Sequence, residues 1–393
     1  VDGVMGEFWN GLSAIFQNNL MMRRTTKLAS SIAHINGQKV VGAEAYTSEP
    51  ESGRWQEYPF ALKAVGDKAF TEGINRMVIH RYAMQPHPDA APAMTLGPWG
   101  IHFDRTNTWW EPGRAWIDYL NRCQTLLQEG LFVADFAYFT GDNIVGYTKV
   151  HRRDLNPVPP EGYDYDLMNT ETLLNRAWVE RGRLRLPDGM NYRVLVLQEQ
   201  SHITLGLLRK LRNMVEQGLI IVGARPQQTV GLQSYSVIEE KEFEQLCDEL
   251  WGKAATTVVD RSVGKGRIFW ETSLNLEQVL EKIQLRPDFE VSTDSISAPI
   301  RYIHRQIGES DVYFVANQQR TSKELICNFR VKGKIPEFWN PISGERTRAM
   351  VYQTNEPYRC LFNWKRMVLC SSSFVLTFLN RRLFVLFIKM GSV

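Results

Sequence analysis

Three apolar runs that each close on polar residues constrain this chain more than any other feature. They are Lys39–Tyr46, Ile74–Tyr82 and Leu131–Thr140, the last following a helical stretch at Ala115–Glu129. Strands that are apolar along their length and alternate with helices belong to parallel sheets covered by helices. These runs end in Glu44, in His80, Arg81 and Tyr82, and in Tyr138 with Asp142. Strand ends carrying such groups are how a (β/α)8 barrel supplies its C-terminal face with chemistry. A closed barrel takes ~250 residues. With only three convincing strands before Asp142, the expectation is a partial, TIM-barrel-like α/β region over residues 1–155.

Upstream, Leu12, Phe16, Leu20, Leu28 and Ile32 fall at helical spacing, and Asn36-Gly37 supplies a stop signal. Downstream, Pro157, Pro159, Pro160 and Gly162 mark a linker. A second α/β pattern follows. Tyr192–Leu197 reads as a strand, Ile203–Gln217 as an amphipathic helix closed by Gly218, and Leu219–Gly223 as a strand. Glu239–Trp251 reads as a helix and Arg267–Glu271 as a strand. The expectation for 156–295 is a doubly wound, flavodoxin-like α/β domain. From Ile300 the runs shorten and alternate, which predicts a β-sandwich over 296–393, with Trp339–Glu345 as a turn. Phe374–Ile388 is broken by Asn380, Arg381 and Arg382; it reads as two short strands, with a tail anchor as the alternative.

Lysine and arginine total 46 against 43 acidic residues, without a basic run, so nucleic acid is not an expected partner, and no membrane partner is expected either. Five cysteines lie far apart without paired spacing, which argues against a zinc site or a dense disulfide framework. Val1–Asn10 shows no basic-then-apolar leader. Gly264-Lys265-Gly266 reads as a hairpin turn, not a phosphate loop.

Glu44 is the sharpest candidate, because a carboxylate at the end of an apolar strand suits general acid work. Asp142 is the second carboxylate that glycoside hydrolysis would need, its alternative being turn chemistry within Gly141-Asp142-Asn143. Asp135, inside the same run, is a weaker rival. Four of the chain's 11 tryptophans (Trp99, Trp109, Trp110 and Trp116) cluster with His102, Asp104 and Arg105. Aromatic faces with flanking polar groups are the composition of a sugar site. Trp116 reads as core, and only one of Trp109 and Trp110 is expected to face inward.

These residues resemble a known family. Ala43-Glu44-Ala45-Tyr46-Thr47-Ser48, His80-Arg81-Tyr82, the block Met94–Thr106 with its Gly97-Pro98-Trp99-Gly100-Ile101-His102-Phe103-Asp104-Arg105, and Trp109-Trp110-Glu111 are similar to the α-L-rhamnosidases of glycoside hydrolase family 106. So are Gly162-Tyr163-Asp164-Tyr165-Asp166, Leu186-Pro187-Asp188-Gly189-Met190 and Trp339-Asn340-Pro341. The resemblance implies a calcium-assisted, inverting hydrolase of terminal α-L-rhamnosyl linkages, with a carbohydrate partner. It implies Glu44 as the general acid, Asp142 in a motif position where the family carries glutamate, and a substrate-binding set of His80, Arg81, Tyr82, Trp99, His102, Asp104, Arg105, Trp109 and Tyr138. The family's enzymes are longer at the N-terminus, so the chain reads as a fragment whose tail diverges after about Arg359. Two alternatives stay open: a catalytically inactive remnant that binds carbohydrate, and a β-galactosidase-like hydrolase.

Overall fold

Val4–Asn10 (β1), Val41–Ser48 (β2) and Arg76–Ile79 (β3) form a parallel sheet in that order. They belong to a computed structural model that describes residues 3–10, 25–53, 55–90, 94–95, 97–141, 150–198, 201–230, 237–253, 259–271, 275–292, 300–318, 326–348, 353–355, 359–363 and 373–380. Two helices cover one face of this sheet, α1 (Thr26–Ile35) and, after the short α2 (Pro50–Gly53), α3 (Pro59–Thr71). Small and apolar residues face them: Phe8, Val41, Ala43 and Ala45 are fully buried. The other face is open. There Glu7, Glu44 and Val78 stand in one row of neighbouring strands, and Met5 and Val78 are 57% and 48% exposed. The observed α1 starts at Thr26; the earlier part of the expected helix, 11–24, lies outside the described residues.

The strand expected at 39–46 runs on to Ser48, so Glu44 stands within β2. The β1–β2 register places Phe8 beside Ala45 and Trp9 beside Thr47. Tyr46 is therefore the extra residue of a bulge, buried and left-handed at φ 67°. In a regular strand residues three apart point to opposite faces; a bulge re-aims the side chains beyond it. Thr47 thereby reaches Glu44, its Oγ1 donating to Glu44 Oε1 over 2.5 Å.

The run 131–140, expected as one strand, divides between two sheets. Leu131–Phe132 (β4) pairs with Ile300–Ile307 of the C-terminal region. Phe136–Phe139 (β5) pairs with Tyr165–Met168 (β6) and Val194–Gln198. The division falls at Asp135, whose carboxylate receives Arg330 (2.9 Å) and Arg193 (3.1 Å). β5 is thus a strand of the second sheet, whose order is 259–263, 266–270, 220–223, 194–198, β5, β6. That sheet is parallel except for the hairpin at Gly264-Lys265, with Gly264 at φ 56°. Both of its faces are buried: Ala137, Phe139, Leu195 and Ile221 on one side, Phe136, Tyr138, Val194 and Val196 on the other. This explains why its strands are apolar throughout.

The C-terminal region holds a six-stranded and a four-stranded sheet. Phe289, Cys327 and Phe329 from one and Tyr313, Val315 and Leu376 from the other share an apolar cluster, which makes the pair a sandwich. The outer face of the six-stranded sheet packs on α3, with Phe70 edge-on to Phe314 at 5.7 Å. Ser373–Asn380 pairs between Ser310–Asn317 and Lys334–Trp339; residues 381–393 lie outside the described residues. Among the described residues no helix is long and apolar enough to cross a membrane.

Candidate active site

The loops that follow β2 and β3 close over one edge of the first sheet. His80 N donates to Ala45 O at 2.9 Å and Gly100 N to Ser48 O at 2.8 Å. Arg81 N donates to Ile101 O, Ile101 N to His80 O and Phe103 N to Arg81 O, at 3.0–3.1 Å. Residues 100–103 therefore lie alongside 80–81 as an added extended segment. Gly100 sits at φ 81°, and a Cβ there would lie 2.4 Å from His80 Nδ1, so only glycine fits.

This folding gathers most of the sequence-derived site residues. Arg81 is buried, and its guanidinium donates to Trp99 O at 2.6 Å and to Gly97 O. Burial lowers its pKa, against the opposing pull of Asp104. Asp104, also buried, accepts from Thr106 N (2.8 Å) and Gln85 Nε2 (3.2 Å). Arg105 is exposed and donates to the carbonyls of Pro88 and His87. His102 is buried, and burial, reinforced by Arg81, pulls its imidazole down to about 4. Its ring is neutral above that pH. The Nδ1 atoms of His80 and His102 are buried without a hydrogen-bond partner. Tyr82 and Trp99 are exposed, and Trp99 stands edge-on to Trp9. Trp109 Nε1 donates to Glu57 O at 2.8 Å, tying the β3 loop to the β2 loop. Trp116 is core.

Two sequence-derived residues are not part of this edge. Tyr138 is fully buried in the second sheet, where its hydroxyl donates to Pro157 O at 2.8 Å. Asp142 lies outside the described residues, and the strand leading toward it, β5, belongs to that second sheet. The fold adds residues that sequence reasoning missed. Glu7 is in register with Glu44 on the open face. Glu57 is buried and accepts from Ser48 Oγ. Trp55 stacks on His102, ring centroids 3.2 Å apart. No local spacing signals these pairs, since each joins separate loops or strands.

A family model described as alpha-L-rhamnosidase matches residues 1–354. The chain belongs to the alpha-L-rhamnosidase family. It is 36% identical over 354 residues to a Formosa agariphila protein named "Putative beta-glucuronidase", covering 90% of this chain and 28% of that one. Among solved structures it is similar to a rhamnosidase from Novosphingobium sp. PP1Y (TM-score 0.84, 30% identity, 100% of this chain and 36% of the other). The chain thus spans 28% to 36% of the length of these relatives. A beta-galactosidase from Bacillus circulans sp. alkalophilus shares the fold at TM-score 0.53 and 12% identity, over 95% of this chain and 60% of that one.

The other motifs that carried the alpha-L-rhamnosidase resemblance sit at joints. Asp164 accepts from Lys27 of α1 at 2.9 Å, and Asp166 accepts from Ser31, His34 and Tyr192. Arg122 of α4 (Arg114–Leu127) donates to the carbonyls of Pro341 and Ile342. Asp188 pairs with Arg176 and fills the space that a Cβ on Gly37 would need. Calcium takes six to eight oxygen ligands. Among the described residues no group of three or more His, Cys, Asp or Glu side chains is placed to hold a metal ion.

Proposed function

We infer that this chain carries the carboxylate chemistry of a glycosidase acting on terminal α-L-rhamnosyl linkages. The observation that supports this best is Glu44 itself. In a member of the alpha-L-rhamnosidase family, it stands on the open face of a parallel sheet, held by the Thr47 hydroxyl and set among loops rich in aromatic and polar groups. In the reaction, Glu44 gives its proton to the leaving glycosidic oxygen as the C–O bond breaks. A second carboxylate takes a proton from water as that water bonds to the anomeric carbon from the opposite side, inverting it. Asp142 is the sequence-derived candidate for the second role.

The family relative named for glucuronides supports a second reading, a uronic acid substrate. A uronate needs a cation for its carboxylate, whereas Arg81 and Arg105 direct N–H groups to backbone carbonyls. This favours a neutral sugar. Release of nitrophenol from aryl α-L-rhamnoside, aryl β-D-glucuronide and aryl β-D-galactoside, by the chain and by its Glu44→Gln variant, tests the assignment. Glu44→Gln that retains rhamnoside turnover sinks it. Rhamnose binding in calorimetry without turnover by the unaltered chain would support the carbohydrate-binding alternative instead.

A further inference from the structure

Trp55 combines features that no other exposed aromatic of the described chain combines. It lies in the loop after β2, and its backbone is left-handed at φ 60°. A bulky residue with positive φ is a true outlier, and such strain collects where a side chain is held for a ligand. Trp55 is held in this way. One face of its indole lies flat on the His102 imidazole, interplanar angle 7°, while the residue as a whole stays 43% exposed. His102 beneath it is buried, with Nδ1 unpartnered. Tyr58, Phe60, Tyr82 and Trp99 are exposed too, but their backbones lie outside the left-handed region.

The strand geometry orders the site in depth. β2 ends at Ser48, beyond both Glu44 and the Tyr46 bulge, so the loop that carries Trp55 lies past the C-terminal end of the strand that bears Glu44. An enzyme that cleaves a terminal sugar holds that sugar at its carboxylate and lets the rest of the glycan run outward. The solvent-facing side of Trp55 is a flat apolar surface of the kind that stacks on the CH face of a pyranose ring.

We propose that Trp55 is the sugar-stacking platform for the unit next to the cleaved one, so that the site takes an oligosaccharide and not merely a small glycoside. This rests on the glycosidase reading above. The full chain and its Trp55→Ala and Trp55→Tyr variants, titrated calorimetrically with a disaccharide bearing terminal α-L-rhamnose and with methyl α-L-rhamnoside, test it. Trp55→Ala is expected to weaken the disaccharide about tenfold while leaving the methyl glycoside within about twofold, and Trp55→Tyr to restore most of the loss. Equal disaccharide affinity in Trp55→Ala and the unaltered chain overturns the proposal, as does equal loss of both ligands in Trp55→Ala. Trp55→Leu, which keeps apolar bulk without a ring face, decides the matter should Trp55→Ala fail to fold: disaccharide affinity matching the unaltered chain overturns it. Glu44→Gln, assayed for turnover alongside, separates failure of the carboxylate assignment from failure of this one.

Discussion

Two clusters of buried polar residues in this chain are built from the same residue types and have opposite accounts. At the junction of the second and third regions, Arg330 and Arg193 close on Asp135. His304 bridges Asp288 (2.9 Å) and Asp311 (3.0 Å), Tyr313 donates to Asp288 at 3.0 Å, and Lys334 pairs with Asp311. Each buried charge there has an opposite charge against it. At the edge above β2 and β3, by contrast, two imidazole nitrogens are buried with no partner, and an indole is held at positive φ with one face open. Orphaned buried polar atoms cost free energy that a fold normally avoids. The difference teaches that a charge buried at the junction is closed by an opposite charge, whereas ring nitrogens at the loop edge are buried without one.

The comparison can be broken in several ways. Glu44→Gln is expected to lower rhamnoside turnover by about 10²–10⁴-fold with an unchanged melting temperature; a large loss of stability would move Glu44 to the scaffold side. His304→Ala removes the bridge between Asp288 and Asp311, leaving Asp288 with Tyr313 and Arg330 and Asp311 with Lys334, and should cost about 1–3 kcal/mol in urea unfolding while sparing ligand affinity per folded molecule. The same cluster makes a pH prediction. Burial, the largest single influence, pulls His304 down, yet Asp288 and Asp311 outweigh it and lift the imidazole to about 9. A raised pKa stabilises the fold fully below the unfolded value near 6.5, and that stabilisation is lost as pH climbs through about 9. The melting temperature should therefore fall across that window, by an amount equivalent to about 3 kcal/mol at most; a flat profile would show that His304 is neutral in the fold. Arg122→Ala removes contacts to two carbonyls and should cost about 1 kcal/mol. His102→Phe preserves a flat ring under Trp55 and orphans nothing at Nδ1, so its stability should stay within about 1 kcal/mol of the parent in urea titrations.

Much of this fold is legible locally. The strand at Val41 and the helices at Arg114, Leu205 and Val237 follow from apolar periodicity, and turns such as Gly264-Lys265 follow from turn chemistry. The parts that escape local reading depend on distant partners. The run 131–140 looks like one strand because nothing within it shows that Asp135 meets Arg330, 195 residues away. Strand β1 escapes because its Met5 is exposed and its Gly6 packs without a side chain. In the candidate site, the block around His102 is readable as a motif, whereas the Trp55–His102 stack and the Glu7–Glu44 row exist only once two loops and two strands meet. Tyr138 reads as part of the site because its strand resembles β2 in composition. Its sheet is buried on both faces, which leaves its ring no route to a ligand.

The placement of Ser373–Asn380 has a consequence for biosynthesis. On the ribosome, Ser310–Asn317 is made some sixty residues before this neighbour, and until the later strand arrives its edge offers unpaired N–H and C=O groups to any other chain. The sheet left waiting is the one that packs on α3, beneath β2. The sheet that bears Glu44 therefore rests, through α3, on strands whose pairing is completed by a segment more than 320 residues downstream, and a chain interrupted before it leaves that edge open to other chains.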